Sequence, residues 1–197
     1  AAPVMRRVAA LIAEAAPARL WSHDPSLWTA DPAGQPEIRK RLGWLDLPDS
    51  SQAAVKEINE FVAQVRTEGL THALLLGMGG SSLAAEVLSL VHAAMPGEDG
   101  EAGQHFSILD STDPDQVQET ANRFPPAETL YIVSSKSGGT AEVNAMFNYF
   151  WAQTGGNGSH FIAITDPGTS LEALSNARGF RKTFQADPTV GGRFSAL

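Results

Sequence analysis

Five short runs of β-formers recur along the second two-thirds of the chain: THALLLGM (71–78), HFSILDS (105–111), TLYIVSS (129–135), HFIAITD (160–166) and FRKTFQA (180–186). Between them lie stretches with helical periodicity: LAAEVLSLVHAAM, DQVQETANRF, AEVNAMFNYFWAQ and SLEALSNAR. In the third of these, Val143, Met146, Phe147, Phe150 and Trp151 fall at i, i+3, i+4, i+7 and i+8, which is one apolar stripe turned toward a sheet. Strands that alternate with helices cannot close into hairpins. They form right-handed crossovers and a parallel sheet with helices on both faces. The expected fold is α/β, a three-layer αβα sandwich around a five-stranded parallel sheet.

Residues 1–68 read differently. The opening AAPVMRRVAALIAEAAPARL is amphipathic, with Val4, Val8, Leu11, Ile12 and Ala15 on one helical stripe. Prolines then break the pattern, and Trp21, Trp28 and Trp44 sit among turn residues as an irregular wrap whose indoles are expected to pack on a neighbouring surface. SSQAAVKEINEFVAQVRTEGL places Val55, Ile58, Val62 and Val65 on one face, with Gly69 as its stop. The expected organisation is a helical lead-in, 1–68, packed on a core domain, 69–197. The chain opens on Ala1 and stops at Leu197 just after GGRFSAL, a stretch that reads as the beginning of an element, so a fragment of a longer protein is expected.

Composition narrows the partners. With 43% hydrophobic and 18% charged residues the chain can bury a core. A net charge of −8 without any Lys/Arg run argues against nucleic acid or an anionic membrane as partner, so an anionic ligand must be caught locally. No cysteine is present, which excludes disulfides and thiolate metal sites and makes the cytoplasm the default compartment. The five histidines, at 23, 72, 92, 105 and 160, show no metal-ligand spacing, and neither metal nor cofactor is expected. No apolar run approaches the ~20 residues that would span a bilayer.

Ligands of a doubly wound parallel sheet bind beyond the carboxyl ends of the strands, where the strand order reverses. With an order 2-1-3-4-5, that crevice lies between the first and third strands. Two glycine/hydroxyl loops follow those two strands: GMGGSS (Gly77 to Ser82) and SSKSGGT (Ser134 to Thr140). Each leads into a helix whose first-turn N–H groups lack partners and favour a dianion. Phosphate is the ligand expected at Ser135, Lys136, Ser137 and Thr140. For GMGGSS, turning and capping explain the residues as well as binding does. The main-chain N–H of Lys136 could serve the ligand while its side chain is solvated. Nucleotide motifs fail: Ser82 stands where G-x-G-x-x-G needs its last glycine, and Ser135 stands where a Walker A loop needs glycine before Lys-Ser. Arg193, after Gly191 and Gly192, is either an ion-pair arginine or a guanidinium for a phosphate, carboxylate or enediolate oxygen. Glu142 in a first helical turn either complements the dipole or belongs to the site.

GMGGSSLA, SSKSGGTAE and DPTVGGRFSAL, in that order, resemble the sugar isomerase (SIS) domain, specifically the first such domain of phosphoglucose isomerases, over residues 70–197. The resemblance implies a flavodoxin-like SIS fold and interconversion of glucose 6-phosphate and fructose 6-phosphate through a cis-enediol without a metal. By motif match it implies phosphate binding by Gly80, Ser81, Ser135, Lys136, Ser137 and Thr140, with Ser82 and Glu142 as further candidates, and enediolate stabilisation by Arg193. It also implies a homodimeric parent with a second, C-terminal SIS domain that supplies the catalytic base. Ser82 and the Ser137-Gly138-Gly139 centre depart from the usual G-I-G-G-S-D-L-G and S-K-T-F-T-T-x-E-T. That variant resembles the isomerase half of bifunctional transaldolase/phosphoglucose isomerase proteins. The competing reading is a regulatory sugar-phosphate-binding module without catalysis.

Overall fold

The computed structural model describes residues 2–94 and 105–190. Two compact units divide them, one of residues 2–52 with Thr189 and Val190, the other of residues 53–188.

The first unit is short helices joined by turns: α1 (Ala2–Ala13), α2 (Ala16–Trp21), α3 (Gln35–Arg39) and α4 (Leu47–Ser50). Proline sits in the first turn of α2, α3 and α4, where its missing N–H costs nothing. Asp24 fixes one turn: its carboxylate accepts from the Ser26 amide and hydroxyl at 2.9 and 2.6 Å and from Arg19 at 2.7 Å. Those bonds, the Ser26 hydroxyl first, hold its pKa down at about 2. The expected α1 stripe is not buried, since the helix ends at Ala13 and Val4, Val8 and Ile12 remain exposed. Trp21, Trp28 and Trp44 likewise keep about half or more of their surface exposed, contrary to the packing expected of their indoles.

The second unit holds α5 (Gln52–Thr67), β1 (His72–Gly77), α6 (Gly80–Ala94), β2 (His105–Leu109), α7 (Pro114–Arg123), β3 (Thr129–Ser134), α8 (Ala141–Gln153), β4 (Phe161–Thr165), α9 (Ser170–Ala177) and β5 (Lys182–Gln185). The strands form one parallel sheet in the order β2-β1-β3-β4-β5. Successive side chains of a strand point to opposite faces, and the two faces differ in what covers them. Leu74, Leu76, Tyr131, Val133, Phe161 and Ala163 meet the buried stripe Val143, Met146, Phe147 and Phe150 of α8, together with Leu171 of α9. Leu130 and Ile162 point the other way and pack with Phe61 and Val65 of α5. The helix 52–67, expected to belong to the lead-in, thus supplies part of the sheet's second face. Only the lower half of its stripe is used: Val65 is buried, whereas Val55 and Ile58 stay exposed. No helix among the described residues is long and apolar enough to cross a membrane.

The four crossover helices fall where their periodicity predicts, with one instructive shift. α6 starts at Gly80 instead of Leu83. Gly79 adopts a left-handed φ of 55°, so the turn is complete in two residues and Ser81 and Ser82 enter the first helical turn.

Candidate phosphate-binding site

From β1 the chain steps outward to β2 on one side, then returns to β3 on the other, so the strand order reverses between β1 and β3. Both glycine/hydroxyl loops emerge there, because Gly77 and Ser134, the last residues of the two strands, are partners in register. A side chain at Gly77 would put its Cβ 2.9 Å from the Ser81 carbonyl oxygen, so only glycine lets the start of α6 come this close to its strand. The Ser134 hydroxyl donates to that same Ser81 carbonyl at 3.0 Å and straps the two loops together.

Within the first loop, Ser82 is buried and its hydroxyl donates to the Gly79 carbonyl at 3.1 Å. It closes the turn. Gly80 and Ser81 are half-buried at the helix start.

The second loop is built more tightly. The Ser135 amide donates to the Ile164 carbonyl of β4 at 3.0 Å, which carries the sheet pattern one residue past the strand end. Its hydroxyl, buried with the residue, lies 3.1 Å from the Thr140 hydroxyl. Gly138 turns the chain with φ 70° and donates to the Ser135 carbonyl at 3.1 Å, while its own carbonyl accepts from the Ser170 hydroxyl at 2.8 Å. Ser137 and Gly139 form the exposed crest. Thr140 is the N-cap of α8, yet its hydroxyl makes no cap bond, being turned to Ser135. Neighbouring helices behave otherwise: Asp113 accepts from two first-turn amides of α7, and Thr169 caps the Glu172 amide of α9. The amino end of α8 therefore keeps its partial positive charge and its donors for something other than its own cap residue.

Lys136, for which the sequence left open a side chain on the ligand or one in solvent, turns its ammonium to neighbouring strand ends instead. Its ammonium donates to the Asp166 carboxylate at 2.8 Å and to the Asp187 carbonyl at 3.0 Å, and both ion-pair side chains are about four-fifths buried. Glu142 is exposed in the first turn of α8. Arg193 lies outside the described residues. The structure thus brings the loops holding Gly80, Ser81 and Ser82, and Ser135, Ser137 and Thr140, to the carboxyl ends of two paired strands, while the Lys136 ammonium turns to the ends of β4 and β5. Sequence reasoning missed three participants: Ser134 as the strap, Asp166 as the partner of Lys136, and Ser170 as the brace of Gly138. Asp166 had a signal, since it closes the run HFIAITD at the carboxyl edge of the sheet.

A family model described as phosphoglucose isomerase matches residues 50–197. A glucose-6-phosphate isomerase of Thermus thermophilus is 32% identical over 162 residues, 79% of this chain and 36% of that protein. That of Carboxydothermus hydrogenoformans is 32% identical over 169 residues, 79% of this chain and 35% of that protein. Among solved structures, a Thermus thermophilus protein described as hypothetical superposes with a TM-score of 0.68 at 29% identity, over 98% of this chain and 43% of the other. A glucose-6-phosphate isomerase from Chlamydia trachomatis superposes with a TM-score of 0.63 at 25% identity, over 74% of this chain and 28% of the other. The chain spans little more than a third of the length of the curated relatives it matches. Since the matched stretch contains the whole sheet and both loops of the crevice, the chain belongs to the phosphoglucose isomerase family.

Proposed function

We propose that this chain is the sugar-phosphate-binding domain of an aldose–ketose isomerase acting on glucose 6-phosphate and fructose 6-phosphate. The observation that carries the reading is the loop Ser134–Thr140: a Ser135–Thr140 hydroxyl pair, Ser135 buried and Thr140 half-buried, at the start of a helix whose N-cap residue leaves the first turn uncapped. A phosphate seated there would accept from Ser135, Ser137 and Thr140 and from main-chain amides of the loop, with Gly80 and Ser81 approaching from the other strand. These donors are neutral, so the helix dipole supplies the local positive charge that a chain of net charge −8 otherwise lacks. With the phosphate anchored, the sugar carbons lie outward from the crevice, and Arg193 is assigned to the developing enediolate oxygen by its motif.

Proton transfer between C1 and C2 needs a carboxylate base beside the carbon. Among the described residues, Asp166 beside this loop is held by Lys136, Asp187 meets the same ammonium through its carbonyl, and Glu142 is exposed, so none is placed as a free base. The chain on its own is therefore read as catalytically incomplete, its base coming from a second SIS domain of a homodimeric enzyme. Substantial turnover by the pure 197-residue chain would sink that part of the reading.

Thermal shift with millimolar fructose 6-phosphate, inorganic phosphate and fructose tests the site. The two phosphorylated ligands are expected to stabilise the chain, by about 2.7 kcal/mol at a hundredfold excess over Kd. Fructose is expected to do nothing, and the Ser135→Ala/Thr140→Ala double variant to lose the effect. Stabilisation by fructose alone, or an undiminished shift in the double variant, would move the site elsewhere.

A further inference from the structure

We propose that Lys136 is a positioning residue, a clamp across the ends of three strands, and not the cation that meets the phosphate. The inference rests on the reading of the loop as a phosphate site. Its basis is where the ammonium goes. Lys136 follows β3, Asp166 follows β4, and Asp187 follows β5, and the Lys136 ammonium bonds the second and third of these at 2.8 and 3.0 Å. Main-chain bonds run parallel to the clamp: the Asp166 amide donates to the Lys136 carbonyl at 3.2 Å, and the Ala186 amide to the Thr165 carbonyl at 2.8 Å. Neither side chain of the ion pair is more than a fifth exposed, so the pair is shielded from salt and a released partner would be left as a poorly solvated charge.

The consequence is specific. A lysine whose charge is already neutralised by Asp166 adds little net attraction for a dianion. What it adds is shape: it holds the backbone of Lys136 to Gly139 against the β4 and β5 turns, so that the hydroxyls of Ser135, Ser137 and Thr140 converge. The two roles make opposite forecasts for Asp166→Asn. If Lys136 were the phosphate's cation, freeing it from Asp166 would leave affinity equal or improve it. If it is a clamp, Asp166→Asn weakens binding just as Lys136→Met does, and the double variant is no worse than either single one, because the two residues act as one unit.

The experiment has two arms on the whole 197-residue chain. Without ligand, amide hydrogen exchange is compared in the wild type, Asp166→Asn and Lys136→Met. Exchange at residues 136–139 and at Asp187 is expected to accelerate together by about tenfold or more, with β1 unchanged. Unchanged exchange at either segment overturns the clamp. In the second arm, affinity for fructose 6-phosphate is measured by titration at two salt concentrations. Both single variants are expected to lose about tenfold, non-additively, with the wild-type salt dependence retained, while Lys136→Arg, which keeps the ion pair, stays within about threefold of wild type. An Asp166→Asn variant that binds as well as or better than wild type overturns the proposal. A wild-type chain that binds no phosphate ligand defeats the phosphate reading instead, and the exchange arm still decides the clamp.

Discussion

The two loops at the crevice have nearly the same composition, and the structure treats them as different objects. GMGGSS is held mostly by itself: Gly79 reverses the chain, Ser82 bonds back to Gly79, a Cβ on Gly79 would meet nothing within 4 Å, and the strap from Ser134 to the Ser81 carbonyl is its one brace from the other loop. SSKSGGT is braced from outside, by Ile164 on Ser135, Asp166 and Asp187 on Lys136, and Ser170 on Gly138. A Cβ on Gly138 would stand 2.7 Å from the Thr169 Cβ and 2.8 Å from the Leu171 amide nitrogen. Local composition alone cannot tell a loop that merely turns from one held in a single shape by its neighbours. The difference lies in the turns after β4 and β5, far along the chain from the loop they brace.

Alanine at the two left-handed glycines should separate the loops most sharply. Gly138→Ala combines backbone strain at φ 70° with a clash against backbone that cannot swing away. It is expected to cost about 3 kcal/mol in urea unfolding and to abolish sugar-phosphate binding. Gly79→Ala meets only the conformational penalty of φ 55° in open space, about 1 kcal/mol, and is expected to keep most of the binding. Equal costs at the two positions would mean that the second loop is no more constrained than the first.

Legibility in the sequence follows the same divide. The sheet was readable because each strand is a short run of β-formers and each crossover helix carries its own stripe; α8 lies where Val143, Met146, Phe147 and Phe150 demand it. Both loops were readable because glycine and hydroxyl residues directly follow strands. The clamp was not, since nothing local distinguishes a lysine paired with an aspartate 30 residues on from a lysine in water. The same limit misled the N-terminal reading: periodicity marks Val4, Val8 and Ile12 as an apolar stripe but does not say what covers it, and here they are exposed. For helix 52–67 the sequence gives an apolar face and packing on the core, but not that Phe61 and Val65 complete a face of the sheet.

The strands beneath the loops repeat the contrast on a smaller scale. β1 is aliphatic from Ala73 to Leu76, whereas β3 carries Tyr131, fully buried with its ring 5.0 Å from those of Phe150 and Phe161. The tyrosine hydroxyl has no hydrogen-bond partner among the described residues; burial pushes its pKa up to about 12, and the nearby Thr129 hydroxyl offsets part of this without reaching hydrogen-bond geometry. Tyr131→Phe keeps the ring stack and removes an unpaired polar atom, so stability at neutral pH is expected to change by less than about 0.5 kcal/mol, toward the stabilising side. The sign with pH follows from linkage. The folded-state pKa lies above the unfolded value of about 10, so the wild type keeps its full stability below that pH and loses it as pH rises from about 10 to about 12, because only the unfolded phenol can release its proton there. In urea unfolding at stepped pH, the wild type should therefore slope downward across this window more steeply than Tyr131→Phe. Parallel curves would mean that ionisation of Tyr131 is not linked to folding, leaving ring packing as the whole of what sets β3 apart from β1.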